Sequence, residues 1–270
     1  MQEEITSLQN KHIKHLVQLL QKARLRKNTG TFIFEGKREL SLAIRGNYKI
    51  KQIYYCPSFV TYKELKTFFD KASTTPQLIS ISSEIFKKLA YRNTTEGMLI
   101  VAEAKNHELE TLTLLNNNAL VLVAEAPEKP GNIGALLRTT DAVGASAFIL
   151  ANPRTDLYNP NTIRSSVGCI FTNQIATGTT NEIIKFLSKN NIQIVSAALQ
   201  NAIDYTTVNY QKSTAIVVGT EDKGLSSDWI EEADQVVKIE MHGAIDSMNV
   251  SVTAGILLFE ARRQRSLQNR

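Results

Sequence analysis

Polar residues stand where the last predicted helix begins, in the stretch Ser-Met-Asn-Val-Ser at 247–251. The hydroxyl of Ser247 can accept a free backbone N–H, so the sequence predicts Ser247 as the N-cap, with Asn249 and Ser251 in the first turn. One cap does not require three polar groups, and Asn and Ser slightly lower helix propensity. Capping alone therefore does not explain this stretch, which is a candidate functional site.

The segment 128–145, EKPGNIGALLRTTDAVGA, predicts a turn followed by a helix. A Pro-Gly turn precedes Asn132, the predicted N-cap, and the helix covers 133–143. Arg138 lies off the apolar stripe of this helix, and an exposed arginine without a function is an equally good interpretation. A turn of this kind before a helix suits a phosphate, although neither the GxGxxG nor the Walker pattern is present.

A second strand-to-helix loop lies in VVGTEDKGLS, residues 217–226. The predicted strand ends at Gly219, and Glu221 stands at the mouth of the loop. Ligands of open α/β sheets bind outside the carboxyl ends of the strands, so this loop is a candidate wall of a site. A charged loop residue without a function is the alternative interpretation.

The composition is that of a folded, modestly basic protein. The 270 residues are 43% hydrophobic and 21% charged, which favours a packed core and two domains over one. The formal net charge of +5 permits a nucleic-acid partner without demanding one. Cys56 and Cys169 form neither a disulfide framework nor a zinc pattern, and no apolar run of about 18 residues occurs. We expect a protein of the reducing cytoplasm without a membrane span, leader or metal site.

Two regions of alternating helices and strands are predicted. Residues 1–104 begin with a basic amphipathic helix over 12–24 and form a small three-layer domain. A linker at 105–118 carries an Asn triplet. From 119 to 270, apolar strands alternate with helices, which predicts a mostly parallel sheet covered on both faces.

Taken in order, PGNIGALLRTTDAVGA, VVGTEDKGL and IEMHGAIDSMNVSVTAGILLFEARRQR resemble the three signature motifs of the SpoU (TrmH-like) class of SPOUT RNA methyltransferases. LYNPNTIRSSVGCIF resembles the linking segment of that family, and KARLRKNTGTFIFEGKREL is similar to its substrate-binding domain. The resemblance implies an α/β fold: a C-terminal SPOUT domain at 119–270, with a parallel sheet and a deep trefoil knot, after a small ribosomal-protein-like RNA-binding domain at 1–104.

The resemblance also implies a reaction and its participants. S-adenosylmethionine would be the methyl donor, the C-terminal domain would form a homodimer, and the acceptor would be a ribose 2′-hydroxyl in structured RNA, with rRNA favoured over tRNA. Two alternatives stay open: a catalytically silent RNA-binding protein on the same scaffold, and methylation of a base instead of a ribose.

The motif positions carry over residue by residue. The residues at the family's catalytic motif positions are Asn132, Arg138, Glu221, Ser247 and Asn249. The residues on or near its cofactor contacts are Ala197, Gly219, Leu225, Ile239 and Met248. The basic residues expected to contact RNA are Arg24, Lys27, Lys37, Arg38 and Arg164.

The expected roles follow from side-chain chemistry. A guanidinium keeps its proton in nearly all proteins, so we expect Arg138 to position a phosphate and stabilise developing oxyanion charge instead of acting as a base. Ser247 and Asn249 are expected to hold the ribose and shape the cofactor loop. Glu221 is expected to orient Arg138 or its neighbours.

Overall fold

The computed structural model describes residues 4–69, 75–91, 96–114, 118–220, 222–244 and 247–267. They form two compact units, the first of 1–105 with 157–172 and the second of 106–156 with 173–270. The predicted domain boundaries stay a prediction, but the packing places Leu157–Thr172 in the first unit. The reason is aromatic: Tyr158 stacks on Phe32 with ring centroids 4.2 Å apart, and Phe171 lies against Phe34 at 4.8 Å.

The helices and strands follow one another in nearly strict alternation. Up to residue 105 the elements are α1 Lys11–Gln21, α2 Ala23–Thr29, β1 Thr31–Glu35, α3 Lys37–Arg45, β2 Ile50–Tyr55, α4 Tyr62–Thr67, β3 Gln77–Ser80, α5 Ser83–Leu89 and β4 Met98–Glu103. Beyond it they are β5 Leu120–Glu125, α6 Pro130–Val143, β6 Ala147–Ala151, α7 Pro160–Ser165, β7 Ile175–Gly178, α8 Thr180–Lys189, β8 Gln193–Ala197, β9 Ile203–Asp204, β10 Thr214–Val218, α9 Ser227–Glu231, β11 Gln235–Lys238 and α10 Val250–Leu267. Short 3₁₀ turns occur at 109–111, 169–171 and 205–207.

The first unit is built on a four-stranded mixed sheet in the order β1-β4-β2-β3. The predicted helix over 12–24 is two helices, because Lys22 adopts an extended backbone between α1 and α2. Arg26 of α2 folds back and donates from its guanidinium to the carbonyls of Leu19 and Leu20 at the end of α1. Carbonyls at a helix end lack partners within the helix, so this buried arginine satisfies them.

The second unit carries a seven-stranded, all-parallel sheet in the order β7-β6-β5-β10-β8-β11-β9. This confirms the predicted parallel sheet. Strands β5, β6 and β10 are buried along their whole length, as expected of strands covered on both faces. Ile183 of α8 and Trp229 of α9 share a buried cluster with Val121 and Val123 of β5. Helices α6 and α10 pack on each other and on β6 and β10.

Parallel pairing brings the carboxyl ends of these strands to one edge of the sheet. At this edge the loops after β8, β10 and β11 can therefore lie close to the residues before α10. Within the described ranges, no helix is long and apolar enough to cross a membrane. In the same ranges, no group of three or more His, Cys, Asp or Glu side chains is arranged to hold a metal ion.

Candidate active site

A cavity of about 510 Å³ opens in the second unit at the carboxyl ends of β8, β10 and β11. Its walls come from the residues after these strands and from the start of α10. Ser247 lies in the wall, as do all five residues carried over as cofactor contacts: Ala197, Gly219, Leu225, Ile239 and Met248. Residues from four separate parts of the sequence thus meet around one cavity.

The loop after β10 forms one wall and is held by its own backbone. The N–H of Thr220 donates to the carbonyl of Gly224 at 3.0 Å, and the reverse bond has the same length. A Cβ on Gly219 would lie 2.2 Å from the carbonyl carbon of Gly224, so only glycine permits this close return. A hydrogen bond from the Thr220 hydroxyl lowers the pKa of Asp222. Glu221, the predicted catalytic residue of this loop, lies outside the described residues.

A buried carboxylate fixes the far end of the same loop. Glu125 ends the otherwise apolar strand β5, and only 7% of its side chain is exposed. Its Oε2 accepts the backbone N–H of Ser226 at 2.8 Å, and its Oε1 accepts the hydroxyls of Ser226 at 2.7 Å and Thr180 at 3.1 Å. Because Ser226 directly follows Leu225 in the cavity wall, Glu125 sets where that wall ends. Glu125 is not among the residues predicted from the sequence, although an acidic residue at the end of an apolar strand is a signal that could have identified it.

Asn249 directly precedes α10 and contacts a second predicted site residue. Its Oδ1 accepts the N–H of Ser251 at 3.0 Å and the hydroxyl of Ser251 at 2.6 Å, while its carbonyl accepts the N–H of Val252 at 2.9 Å. The predicted cap at Ser247 is therefore wrong, because Asn249 takes that role and Ser247 lies in the cavity wall. The Nδ2 of Asn249 donates to Oδ1 of Asn132 at 3.3 Å.

Asn132 was also predicted as a cap, and this too is wrong. Helix α6 begins two residues earlier with Pro130 in its first turn, where proline is favoured because its missing N–H would be unpaired anyway. Asn132 therefore lies inside the first turn of α6 and not at its cap position. This position lets it reach Asn249, 117 residues later.

Arg138 is exposed on α6 and is not part of the cavity wall. Its guanidinium makes no hydrogen bond or ion pair with any residue that the structure describes. The structure thus brings Asn132 to Asn249 and Ser247 to the five cavity residues, and it leaves Arg138 accessible to a ligand. A guanidinium in this state can bind a phosphate or a developing oxyanion.

The predicted RNA contacts lie in the first unit. Arg24 and Lys27 are exposed on α2, and Arg38 is exposed at the start of α3 beside the half-buried Lys37. Arg164 of α7 is half-buried, and its guanidinium lies 3.5 Å from the centroid of the Tyr91 ring. Arg24 and Lys27 share helix α2. Arg38 of α3 and Arg164 of α7 are distant in the sequence but line one cavity of the first unit.

Comparison with known proteins gives the chain a family. The sequence profile of the SpoU rRNA Methylase family matches residues 119–259, and that of the MRM3-like substrate binding domain matches residues 10–125. The chain is 26% identical over 260 residues to the 23S rRNA (guanosine(2553)-2′-O)-methyltransferase RlmP of Bacillus subtilis (strain 168). This alignment covers 96% of this chain and 99% of that relative.

Solved structures agree with the sequence comparison. An AdoMet-bound rRNA methyltransferase from Sinorhizobium meliloti superposes with a TM-score of 0.88 at 28% identity, over 97% of each chain. An RNA 2′-O ribose methyltransferase superposes with a TM-score of 0.82 at 34% identity, over 98% of this chain and all of the other. The family profile spans more than half of the 270 residues, and both structures match nearly the whole fold. The chain therefore belongs to the SpoU rRNA methylase family.

Proposed function

We propose that the chain transfers a methyl group from S-adenosylmethionine to a ribose 2′-hydroxyl in RNA, with rRNA favoured over tRNA. The observation that carries the proposal is the meeting of Ser247 and the five cofactor-motif residues around one cavity, in the unit where Asn132 pairs with Asn249. Relatives named 23S rRNA 2′-O-methyltransferases and a relative solved with AdoMet support it.

The cavity suits S-adenosylmethionine in size and in lining. Its volume of about 510 Å³ lies within the range of about 300–1,000 Å³ common for small-molecule sites. Leu199, Leu225 and Ile239 offer apolar contacts for an adenine ring, and backbone groups of the cavity wall would make the polar contacts. When bound, the donor supplies an electrophilic methyl group on a sulfonium centre.

The remaining chemistry falls to side chains beside the cavity. A ribose hydroxyl is a poor nucleophile, so it must be aligned with the methyl group and lose its proton as the new bond forms. Asn132 and Asn249 would hold the ribose through their amides, and Ser247 would shape the cofactor wall. Arg138 would keep its proton, bind a phosphate and stabilise the negative charge that develops on the oxygen. Glu221 would orient Arg138.

We extend the proposal to the architecture of the C-terminal domain. A deep trefoil knot in 119–270 is proposed from family membership. A homodimer is proposed because Val252 and Phe259, on one stripe of α10, are 49% and 52% exposed, and apolar patches of this kind commonly mark interfaces. We further propose that the protein acts in the cytoplasm. Residues 1–104 would bind the RNA, and their basic residues would give an affinity for RNA that falls steeply as the salt concentration rises.

The first experiment separates the reaction from its alternatives. Calorimetry measures S-adenosylmethionine binding, and labelled methyl transfer to total RNA is followed by alkaline hydrolysis. We expect the label in alkali-resistant dinucleotides, because a methylated 2′-oxygen cannot attack the neighbouring phosphate. Label in alkali-sensitive nucleotides would indicate base methylation, and cofactor binding without transfer would indicate a silent scaffold.

The second experiment tests the role of Arg138. In the Arg138→Ala variant we expect the single-turnover methyl-transfer rate to fall at least about 100-fold, the usual cost of removing an oxyanion-stabilising donor. Arg154→Ala is the matched control, since Arg154 is an exposed arginine of the same unit that pairs with Glu128. Weakened RNA binding with an unchanged chemical step in Arg138→Ala would refute the catalytic role.

A further inference from the structure

A second cavity, of about 770 Å³, lies within the first unit, and the site described above does not use it. Its floor is apolar and buried, formed by Ile33, Leu89 and Leu99. Its rim combines an aromatic ring, Tyr91, with the guanidinium of Arg164. An apolar floor with a flat polar rim is suited to a flat, partly polar ligand.

Tyr91 is conspicuous on this rim because 73% of it is exposed. The guanidinium carbon of Arg164 lies 3.5 Å from the centroid of its ring, a cation–π contact. The main chain of Tyr91 and the side chain of Arg164 are each fixed by a hydrogen bond: the backbone N–H of Tyr91 donates to Oε2 of Glu35 at 3.1 Å, and a guanidinium N–H of Arg164 donates to Oδ1 of Asn161. The pair is therefore a preformed stacking platform.

The charges around the cavity disfavour a phosphate as its main ligand. The cationic lining residues are Arg38, Lys88 and Arg164, and the acidic ones are Glu35, Glu39 and Glu96. Three of each sign leave no net charge, so a phosphate placed inside the cavity would gain little from the surroundings, whereas a phosphate outside it can still contact a single exposed cation on the rim. An uncharged aromatic ring has no net charge to desolvate in such a site and gains stacking on tyrosine or arginine.

We propose that this cavity binds one unpaired nucleobase of the RNA, stacked on the Tyr91–Arg164 platform. The inference rests on the proposed function for the identity of the polymer, since RNA is the substrate that presents single bases with a sugar-phosphate backbone. Arg38 and Lys88, both exposed, would contact the flanking phosphates. The cavity would thus hold the substrate through a base outside the methylated position.

The probe is a hexanucleotide RNA with one central 2-aminopurine, whose fluorescence is quenched by stacking. It is titrated with the full-length chain without S-adenosylmethionine. We expect quenching, and an affinity about 10-fold lower for Tyr91→Ala, as for loss of a base–aromatic stack. Tyr91→Trp should bind as the wild type does. A hexanucleotide with an abasic site in place of the 2-aminopurine carries no fluorophore and is measured by competition against the probe; its affinity for the wild-type chain should be lower to the same degree.

Tyr62→Ala is the matched control, because Tyr62 is a half-exposed tyrosine of the same unit with the ammonium of Lys66 5.0 Å from its ring centroid. Tyr62 does not line the cavity, so the Tyr62→Ala variant should bind the hexanucleotide with wild-type affinity. Salt titration separates stacking from charge: Tyr91→Ala should leave the slope of log affinity against log salt unchanged, and Arg38→Ala should reduce it by about one.

The proposal is overturned if Tyr91→Ala binds as tightly as the wild type, if Tyr62→Ala loses as much affinity, or if the wild-type chain does not bind the hexanucleotide at micromolar concentration. Methyl transfer is not measured in this experiment. Failure of the proposed reaction would therefore show in the alkaline hydrolysis assay, and failure of the base cavity would show only in the binding assay.

Discussion

Replacing Glu125 tests whether one buried carboxylate holds the cofactor wall in place. Glu125→Ala removes the acceptor of three hydrogen bonds. The hydroxyls of Thr180 and Ser226 can rotate toward other partners, whereas the backbone N–H of Ser226 cannot. An N–H left without a partner costs about 1–3 kcal/mol, and Ser226 is exposed enough for water to recover part of this cost. We therefore expect the free energy of unfolding to fall by about 2 kcal/mol.

Glu125→Gln should be much milder than Glu125→Ala. An amide oxygen in place of Oε2 still accepts the N–H of Ser226, and the amide nitrogen can donate to the hydroxyl oxygens of Ser226 and Thr180. Only the charge is lost, and charge-assisted bonds are about twice as strong as neutral ones. The expected loss is about 1 kcal/mol.

The consequence for the cofactor follows from the position of Ser226 beside Leu225. If binding must restore the loop, a cost of about 2 kcal/mol raises the Kd for S-adenosylmethionine about 30-fold in Glu125→Ala. Calorimetry gives the Kd, and urea unfolding gives the stability. Glu128→Ala is the control, since its exposed pair with Arg154 should contribute less than about 0.5 kcal/mol. A destabilised Glu125→Ala variant with the wild-type Kd would refute the anchoring argument.

Three further outcomes are expected. Arg265→Met should lower the free energy of unfolding, measured by urea titration, by about 3 kcal/mol, because the buried guanidinium donates to four backbone carbonyls. The control Arg262→Met, at an exposed arginine of the same helix, should change it by less than about 0.5 kcal/mol. Burial raises the pKa of Tyr48, so the folded state keeps a proton that the unfolded chain releases near pH 10; stability should fall above that pH, and less steeply in Tyr48→Phe. Phe259→Asp should convert a wild-type dimer to a monomer in light scattering, and a monomeric wild type would contradict the proposed dimer.

Much of the fold could be predicted from local sequence. The apolar strands β5, β6 and β10 predicted a parallel sheet because strands buried on both faces cannot alternate polar and apolar residues. The end of a strand at Gly219 could be predicted, and the order of the motifs indicated the family. These features depend on neighbours in the sequence, so a short stretch contains the information for them.

The helix starts and the buried charges could not be predicted this way. Ser247 and Asn249 are both good caps in isolation, and Asn249 caps α10 in a fold where Ser247 lies in the cavity wall. Folding buries the guanidinium of Arg26 against the end of α1, a contact that the residues around Arg26 do not indicate. Whether a side chain caps a helix or lines the cavity, and whether it is exposed or buried, depends on residues far away in the chain.

The sequence by itself determined the α/β class, the family and the residues whose chemistry suits methyl transfer, since each depends on residue type and order. Only the tertiary structure decided which of these residues meet. Parallel pairing of seven strands brings Ala197, Gly219 and Ile239 to one edge, and the packing of α6 on α10 brings Asn132 to Asn249. Contacts across such distances are set by strand order and helix packing, which no local stretch of the chain encodes.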